Sequence, residues 1–226
     1  MKITIFYVFI FLSSVIVAQD FNKLDAEGKR HGKWLKKYDG TDQTRYEGTF
    51  EHGKEVGEFK FYKPTSGDTP TAIKIFSKDN DSVLVKYYSS KGKVISQGKM
   101  IGKIREGEWK YYHNDSDQLM MVEHYKNDKL DGEQRTYFDN GQLTEKTVYK
   151  NGKREGKRLI YSEEGKLIKE FTYENDLLHG MTRYYDTEGQ LQIEGNYKRN
   201  KKDGVWKYYK DGKLDEQKLF PLQKKG

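Results

Sequence analysis

The pattern that decides the fold is clearest at residues 204–214, which read GVWKYYKDGKL. Four earlier segments share its glycine, aromatic and turn positions: GEWKYYHNDSDQL at 107–119, GEQRTYFDNGQL at 132–143, GKRLIYSEEGKL at 156–167 and GMTRYYDTEGQL at 180–191. Their opening glycines are 24 or 25 residues apart, and the same spacing extends back to Gly57 and Gly32, with a degenerate copy at Ser82. The sequence therefore predicts eight repeat units, which open near residues 32, 57, 82, 107, 132, 156, 180 and 204.

Each unit has the features of one β-hairpin. Short stretches of alternating polar and aromatic residues are bounded by glycine, asparagine and aspartate, which tolerate the positive φ of tight hairpin turns. A single hairpin cannot bury its rings alone, so neighbouring hairpins must stack side by side. We predict an all-β fold: a single elongated, twisted antiparallel meander of about eight β-hairpin repeats.

The composition supports a thin, ring-rich sheet. Hydrophobic and charged residues each make up 34% of the 226 residues, whereas an ordinary domain is about half apolar. Aromatic residues reach 14%, which excludes a disordered chain, and the scarcity of aliphatic residues argues against α/β enzyme folds and helix bundles. The absence of cysteine excludes disulfides, thiolate metal sites and a cysteine nucleophile. The net charge of +7 comes without a basic block, so we expect no nucleic-acid partner.

The N-terminus has the features of a secretory signal peptide. Lys2 is followed by an apolar run from Ile3 to Leu12, and Ala18-Gln19 offers a cleavage point. We expect residues 1–18 to be a signal peptide, 19–221 the repeat domain and 222–226 a basic tail. An uncleaved anchor and an N-terminal strand are the alternatives. Such a signal peptide would direct the chain to the periplasm, the outer-membrane surface or the medium.

The repeated pattern G-x-W-x-x-Y-x-x-x-G-x-L, followed by x-Y-x-x-G, resembles the MORN repeat. It is most similar to the bacterial MORN-like variant known as YwqK-type, or antitoxin-like. The resemblance covers nearly the whole chain after residue 18, with degraded copies near residues 71–76 and 82. It implies a non-catalytic scaffold that binds proteins or lies near membranes. The antitoxin label implies neutralisation of a toxin in the cytosol, which conflicts with a signal peptide.

Two rows of aromatic residues are the candidate binding and packing residues. Neighbours on a strand point to opposite faces, so each adjacent pair of rings divides between the two faces of the sheet. A row that could remain exposed and bind a ligand comprises Trp34, Phe59, Trp109, Tyr111, Tyr184, Trp206 and Tyr208. A second row, expected to form a packed structural ladder, comprises Tyr62, Tyr87, Tyr112, Tyr137, Tyr161, Tyr185 and Tyr209. Partial packing of both rows is the alternative.

No constellation of catalytic or metal-binding residues stands out. His31 and His179 occupy the slot before an opening glycine, where other units have valine, aspartate or glutamate, so this slot is expected to be an exposed turn position. Asp115 and Asp117 lack the glycine and distant glutamate of a calcium loop. We therefore predict no enzyme activity, no cofactor and no metal site.

The predicted function is an exported, non-catalytic scaffold for protein–protein interaction in the cell envelope. A long repeat sheet provides an extended surface on which a partner protein can bind. A module that binds cell-wall glycan through exposed rings and an antitoxin-like partner of a toxin are the alternatives. The charge pattern allows at most peripheral association with a membrane.

Overall fold

The computed structural model describes residues 20–114 and 116–221, and every regular element in this part of the chain is a β-strand. The predicted signal peptide and basic tail lie outside the described residues. The strands are β1 (Lys23–Leu24), β2 (Arg30–Lys37), β3 (Thr44–Glu51), β4 (Lys54–Phe61), β5 (Ala72–Phe76), β6 (Ser82–Tyr88), β7 (Val94–Ile101), β8 (Ile104–Tyr112), β9 (Leu119–Lys126), β10 (Lys129–Leu130), β11 (Gly132–Tyr137), β12 (Leu143–Lys150), β13 (Lys153–Tyr161), β14 (Leu167–Glu174), β15 (Leu177–Leu178), β16 (Gly180–Tyr185), β17 (Leu191–Lys198), β18 (Lys201–Lys210) and β19 (Lys213–Phe220).

These strands form one open antiparallel sheet with meander topology. Successive strands pair along the chain, from β2 with β3 to β18 with β19. The two-residue strands β10 and β15 extend their hairpins, while β9 pairs with β11 and β14 with β16 to continue the sheet. The predicted all-β meander of hairpins is confirmed.

The predicted turn residues close the hairpins in the left-handed backbone region. Asn151 and Gly152 have φ values of 51° and 82°, and Asp211 and Gly212 have 49° and 71°. Two successive positive φ values are typical of the two-residue turns whose twist matches that of the flanking strands. Asparagine, aspartate and glycine therefore fix the length of each hairpin.

The opening glycines have a different role, since they lie within strands. Gly57 has a φ of 67°, and the pairing of β3 with β4 shifts there, so that Gly48 alone lies opposite Gly57, Glu58 and Phe59. This bulge resets which side chains face which side of the sheet. The degenerate unit has Ser82 in place of the glycine, and β6 pairs with the preceding strand β5 from Val83 to Tyr87 without a shift.

The core lies on one face of the sheet, which we call the ring face. Its central cluster consists of Val83, Val85, Trp109 and Tyr125, with Phe76, Tyr87, Met100, Tyr111 and Leu130 packed around it. The opposite side, which we call the outer face, has charged side chains such as Glu47 and Lys60, paired across β3 and β4. The two faces therefore offer different chemistry to a ligand.

Candidate functional site: the two faces of the sheet

Rings on the ring face lie directly over glycines of the preceding strand. Such pairs are eleven residues apart in the chain, as in Gly98 with Trp109 and Gly195 with Trp206. A Cβ atom added to either glycine would lie 2.3 Å from the indole ring, closer than any real contact. Glycine is therefore required at these positions by the close approach of the ring.

The largest of these rings are buried. Phe59, Trp109 and Trp206 are only 1%, 4% and 1% exposed. The indole N–H groups of the two tryptophans donate hydrogen bonds to backbone carbonyls of Lys99 and Asn196, each over 3.0 Å. The expectation that these three residues form an exposed row is wrong, because the glycines let the rings sink onto the sheet.

The other four rings of the predicted binding row are half-buried on the same face. Trp34 contacts Phe50 edge-to-face at 5.7 Å between ring centres, and Tyr184 contacts Phe171 at 5.6 Å. Burial, with Tyr197 close by, raises the pKa of Tyr184 to about 12. Tyr111 packs against the central cluster, and Tyr208 lies near Lys202. Ligand binding by these four rings stays a prediction.

The tyrosines predicted to form the packed ladder are half-buried, and several face the outer side. There Tyr62 donates a hydrogen bond to Glu47 over 2.8 Å, and Tyr209 donates one to Glu194 over 2.9 Å. The hydrogen bond from Tyr209 lowers the pKa of the Glu194 carboxyl, with Lys207 and Arg183 adding to the effect. The ladder row as a whole comprises Tyr62, Tyr87, Tyr112, Tyr137, Tyr161, Tyr185 and Tyr209.

Tyr87 departs from its row because its strand lacks the glycine bulge. Without the shift at Ser82, the side chains of Val83, Val85 and Tyr87 all belong to the ring face, where Tyr87 packs against the central cluster that contains Val83 and Val85. Leu84 is then placed on the outer face, 55% exposed. One missing glycine thus turns an apolar residue toward solvent.

In the middle of the ring face, two polar residues stand where other units have a ring lying over a glycine, an arrangement that we call a ring-over-glycine pair. Glu123 and Gln134 occupy the corresponding positions, and the Gln134 amide donates to the buried Glu123 carboxylate over 2.7 Å. Tyr125 donates to the same carboxylate over 2.6 Å, and Arg105 donates to the Tyr125 hydroxyl over 2.5 Å. These contacts satisfy a carboxylate that would otherwise be costly to bury.

The next unit carries a second polar pair, Thr147 with Arg158. The Arg158 guanidinium donates two hydrogen bonds to Glu145, over 2.9 and 2.8 Å. Burial alone would raise the pKa of Glu145, but the hydrogen bonds from Arg158 and Thr147 outweigh it and lower the pKa. The sequence signal for both clusters is a polar residue two places after the opening glycine, where Trp109 and Trp206 stand in their units.

Four apolar residues of the outer face form what we call the aliphatic patch. Ile75 lies opposite Leu84, Ile101 lies opposite Ile104, and Leu84 and Ile101 are diagonal neighbours across β6 and β7. Their exposed fractions are 43%, 55%, 47% and 46%, in the order Ile75, Leu84, Ile101 and Ile104. Contiguous apolar residues left exposed among charges are typical of an interaction surface.

An open groove of about 400 Å³ lies at the turn edge beside this patch. Phe76 and Val83 provide apolar walls, while Lys54, Asp79 and Asp81 provide charge. The groove and the patch both belong to the degenerate unit and its neighbours. The degraded repeat pattern marks this unit in the sequence, but nothing in that pattern indicates a candidate surface.

The slot before the opening glycine is not merely an exposed turn position. The carboxylates of Glu106, Asp131 and Glu155 accept hydrogen bonds of 2.9–3.0 Å from the backbone N–H of a turn asparagine, 20 or 21 residues later, in the next turn. These contacts join successive hairpins at one edge of the sheet. His179 pairs instead with Glu174, at 3.3 Å. Asp117 lies 3.1 Å from Lys93, and Asp115 lies outside the described residues.

Comparison with models of protein families matches residues 130–151, 154–175 and 178–199 to the MORN repeat variant. Three segments within residues 130–199 are therefore similar to MORN repeats. Similar hairpin geometry extends beyond the matched segments, since Gly57 in β4 has a positive φ beside a shift of strand register, as Gly156 has in β13. MORN repeats are non-catalytic modules that generally bind proteins or membranes. The narrower YwqK-type resemblance stays a prediction.

No curated protein matches the chain significantly. In the part of the chain that the structure describes, no helix is long and apolar enough to cross a membrane.

Proposed function

We propose that this chain is an exported, non-catalytic MORN-repeat scaffold that binds another protein through the aliphatic patch. The observation that carries the proposal is the exposure of Ile75, Leu84, Ile101 and Ile104 on one contiguous part of the outer face. Elsewhere this face carries charged side chains such as Glu47 and Lys60, and a smaller exposed apolar pair, Val205 with Leu219, lies far along the sheet. A binding module needs an apolar centre, and this patch is a place that can provide one.

The surroundings of the patch favour a protein partner. Glu58 lies opposite Ile75, and Lys99 lies opposite Leu84, so charges of both signs border the apolar residues. An apolar centre with a polar rim is the usual composition of a protein–protein interface. A membrane surface would instead favour a cluster of basic residues without acids.

The geometry gives less support to the alternative functions. Glycan binding between exposed rings would need Phe59, Trp109 and Trp206 at the surface, and these three are buried. The antitoxin-like function rests on resemblance alone, and no feature of the two faces favours it. The export part of the proposal rests on residues 1–18 of the sequence. Mass determination of the N-terminus after expression in a secreting bacterium tests it, with Gln19 expected as the first residue.

Partner capture with matched variants tests the binding surface. The immobilised chain should retain a protein from an envelope extract, and free chain should compete for it. Ile75→Glu together with Leu84→Glu should abolish retention, because two charges would replace the apolar centre. Val205→Glu is the control, since Val205 lies in an exposed apolar pair with Leu219 on β18 and β19, far along the sheet. Equal retention by the double variant and the wild type would contradict the proposal.

A further inference from the structure

The first hairpins bring together three side chains that are distant in the sequence. Asp25 precedes β2, His31 lies on β2, and His52 lies in the turn between β3 and β4. Among the described residues, these three can each offer one ligand atom, and all three atoms lie within 4.8 Å of one another. Two imidazoles and a carboxylate are a donor set that suits zinc and similar divalent transition metals.

This cluster departs from a pattern that three other units share along the same edge. Three other units have a carboxylate before the opening glycine, which caps the backbone of a turn asparagine 20 or 21 residues later. In the first unit, histidines occupy both positions, at His31 and His52. Their ring centres are 5.0 Å apart, with the planes tilted by 49°. Two metal-ligating side chains thus replace a hydrogen-bonded pair at this one turn.

Asp25 is held in place for such a role. Its Oδ1 atom accepts hydrogen bonds from the backbone N–H groups of Lys29 and Glu27, over 2.8 and 3.1 Å. Its Oδ2 atom is directed at His52 Nδ1, 2.8 Å away, and the Asp25 side chain is only 8% exposed. Hydrogen bonds of this kind orient a ligand before the metal arrives.

We propose that Asp25, His31 and His52 form a binding site for Zn²⁺ or a chemically similar divalent transition metal. Neighbouring ligand atoms of a tetrahedral zinc site lie about 3.4 Å apart, so the three ligand atoms, now within 4.8 Å of one another, would come closer by rotation of the exposed histidine rings. Glu27 is near enough to provide a fourth ligand, with its Oε2 atom 4.0 Å from His52 Nδ1. Bound metal would tie the turn before β2 to the turn after β3. Such a bridge would stabilise the first hairpins of the described array, and this chain has no cysteine that could do so through a disulfide.

Calorimetric titration of the untagged full chain with Zn²⁺ tests the proposal. We expect one zinc ion per chain, and a loss of affinity of at least about tenfold in His31→Ala, His52→Ala and Asp25→Ala. His31→Cys should retain binding, because a thiolate is also a zinc ligand. His179→Ala is the matched control, since His179 occupies the same slot as His31 but has Arg199, a residue that does not bind zinc, in the turn position. Circular dichroism without metal checks that each variant is folded.

Hydrogen exchange locates the site independently. Zn²⁺ should slow exchange in residues 20–61 and leave residues 180–220 unchanged, because repeat arrays transmit stability mainly to neighbouring units. Zinc affinity unchanged in the His31→Ala and His52→Ala variants, or no zinc binding by the wild type, would overturn the proposal. Equal weakening by His179→Ala would show non-specific binding by surface histidines and would overturn it as well.

Discussion

Gly98 lies beneath the indole ring of Trp109, so closely that a Cβ atom on the glycine would lie 2.3 Å from the ring. The φ angle of Gly98 is not in the left-handed region, so the glycine is needed for space and not for backbone conformation. Equivalent contacts join Gly48 with Phe59 and Gly195 with Trp206. They explain how a single sheet buries large rings without a second layer.

Gly98→Ala should destabilise the protein by about 1–3 kcal/mol, the usual cost of overpacking. Trp109→Ala alone should cost about 3–5 kcal/mol, because it removes a buried ring. The double variant should cost less than the sum of the two, since the clash disappears with the ring. Urea unfolding of all four proteins measures the coupling. Simple additivity would show that the alanine does not meet the ring.

A ring-over-glycine pair should be transferable to the unit that opens at Gly180. Phe171 and the fully buried Thr182 occupy the two positions there. Thr182→Trp alone should lower the melting temperature, because the indole would meet the Phe171 side chain. Phe171→Gly alone should do the same by opening a cavity. The double variant should be at least about 1 kcal/mol more stable than the sum of the single effects predicts. Thermal denaturation measures the stability of each variant. A double variant whose loss of stability equals the sum of the two single losses would contradict this prediction.

Removal of Glu123 should be severe, because it leaves Gln134 and Tyr125 without their shared partner. Glu123→Leu should cost about 3 kcal/mol in the free energy of unfolding. Glu123→Leu combined with Gln134→Leu should recover part of that loss, since both polar partners are then replaced. Chemical denaturation compares the three proteins. A double variant that is less stable than Glu123→Leu would contradict the expectation that replacing both polar partners recovers stability.

The Glu145–Arg158 pair should make stability depend on pH in the acid range. Burial opposes the charged form of Glu145, but Arg158 and Thr147 outweigh it and lower the pKa of the carboxyl in the folded state. In the unfolded state the pKa of a glutamate is about 4.3, and a lower pKa in the folded state stabilises the protein at pH values above 4.3. This contribution is lost as the pH falls through the pKa of the folded state. Glu145→Gln should flatten the acid limb of a plot of unfolding free energy against pH. An unchanged limb would contradict the assignment.

The repeat period and turn chemistry made the fold predictable. Residues such as Asn151 and Gly152 show in the sequence where a hairpin turns. Gly204 and Trp206 show where a repeat unit begins. Alternation also divided the rings between two faces. It could not show which face would be buried, because both rows are aromatic. The signal was the glycine eleven residues before a ring, as at Gly195 and Trp206.

Other features depended on pairing between strands that the pattern alone does not specify. His31 and His52 come together because the turn after β3 packs beside the start of β2, where Gly53 donates a hydrogen bond to the Arg30 carbonyl over 2.8 Å. Leu84 faces outward because Ser82 replaces a bulge-forming glycine. The sequence indicated the degraded unit, but only the register showed that the loss exposes an apolar patch.

The central claim is that a partner protein binds the aliphatic patch on the outer face. Hydrogen–deuterium exchange of the chain, with and without the protein that it captures, tests this most directly. We predict slower exchange across residues 72–104 in the complex, and unchanged exchange across residues 191–210. Protection confined to residues 191–210, with residues 72–104 unaffected at saturating partner, would contradict the account.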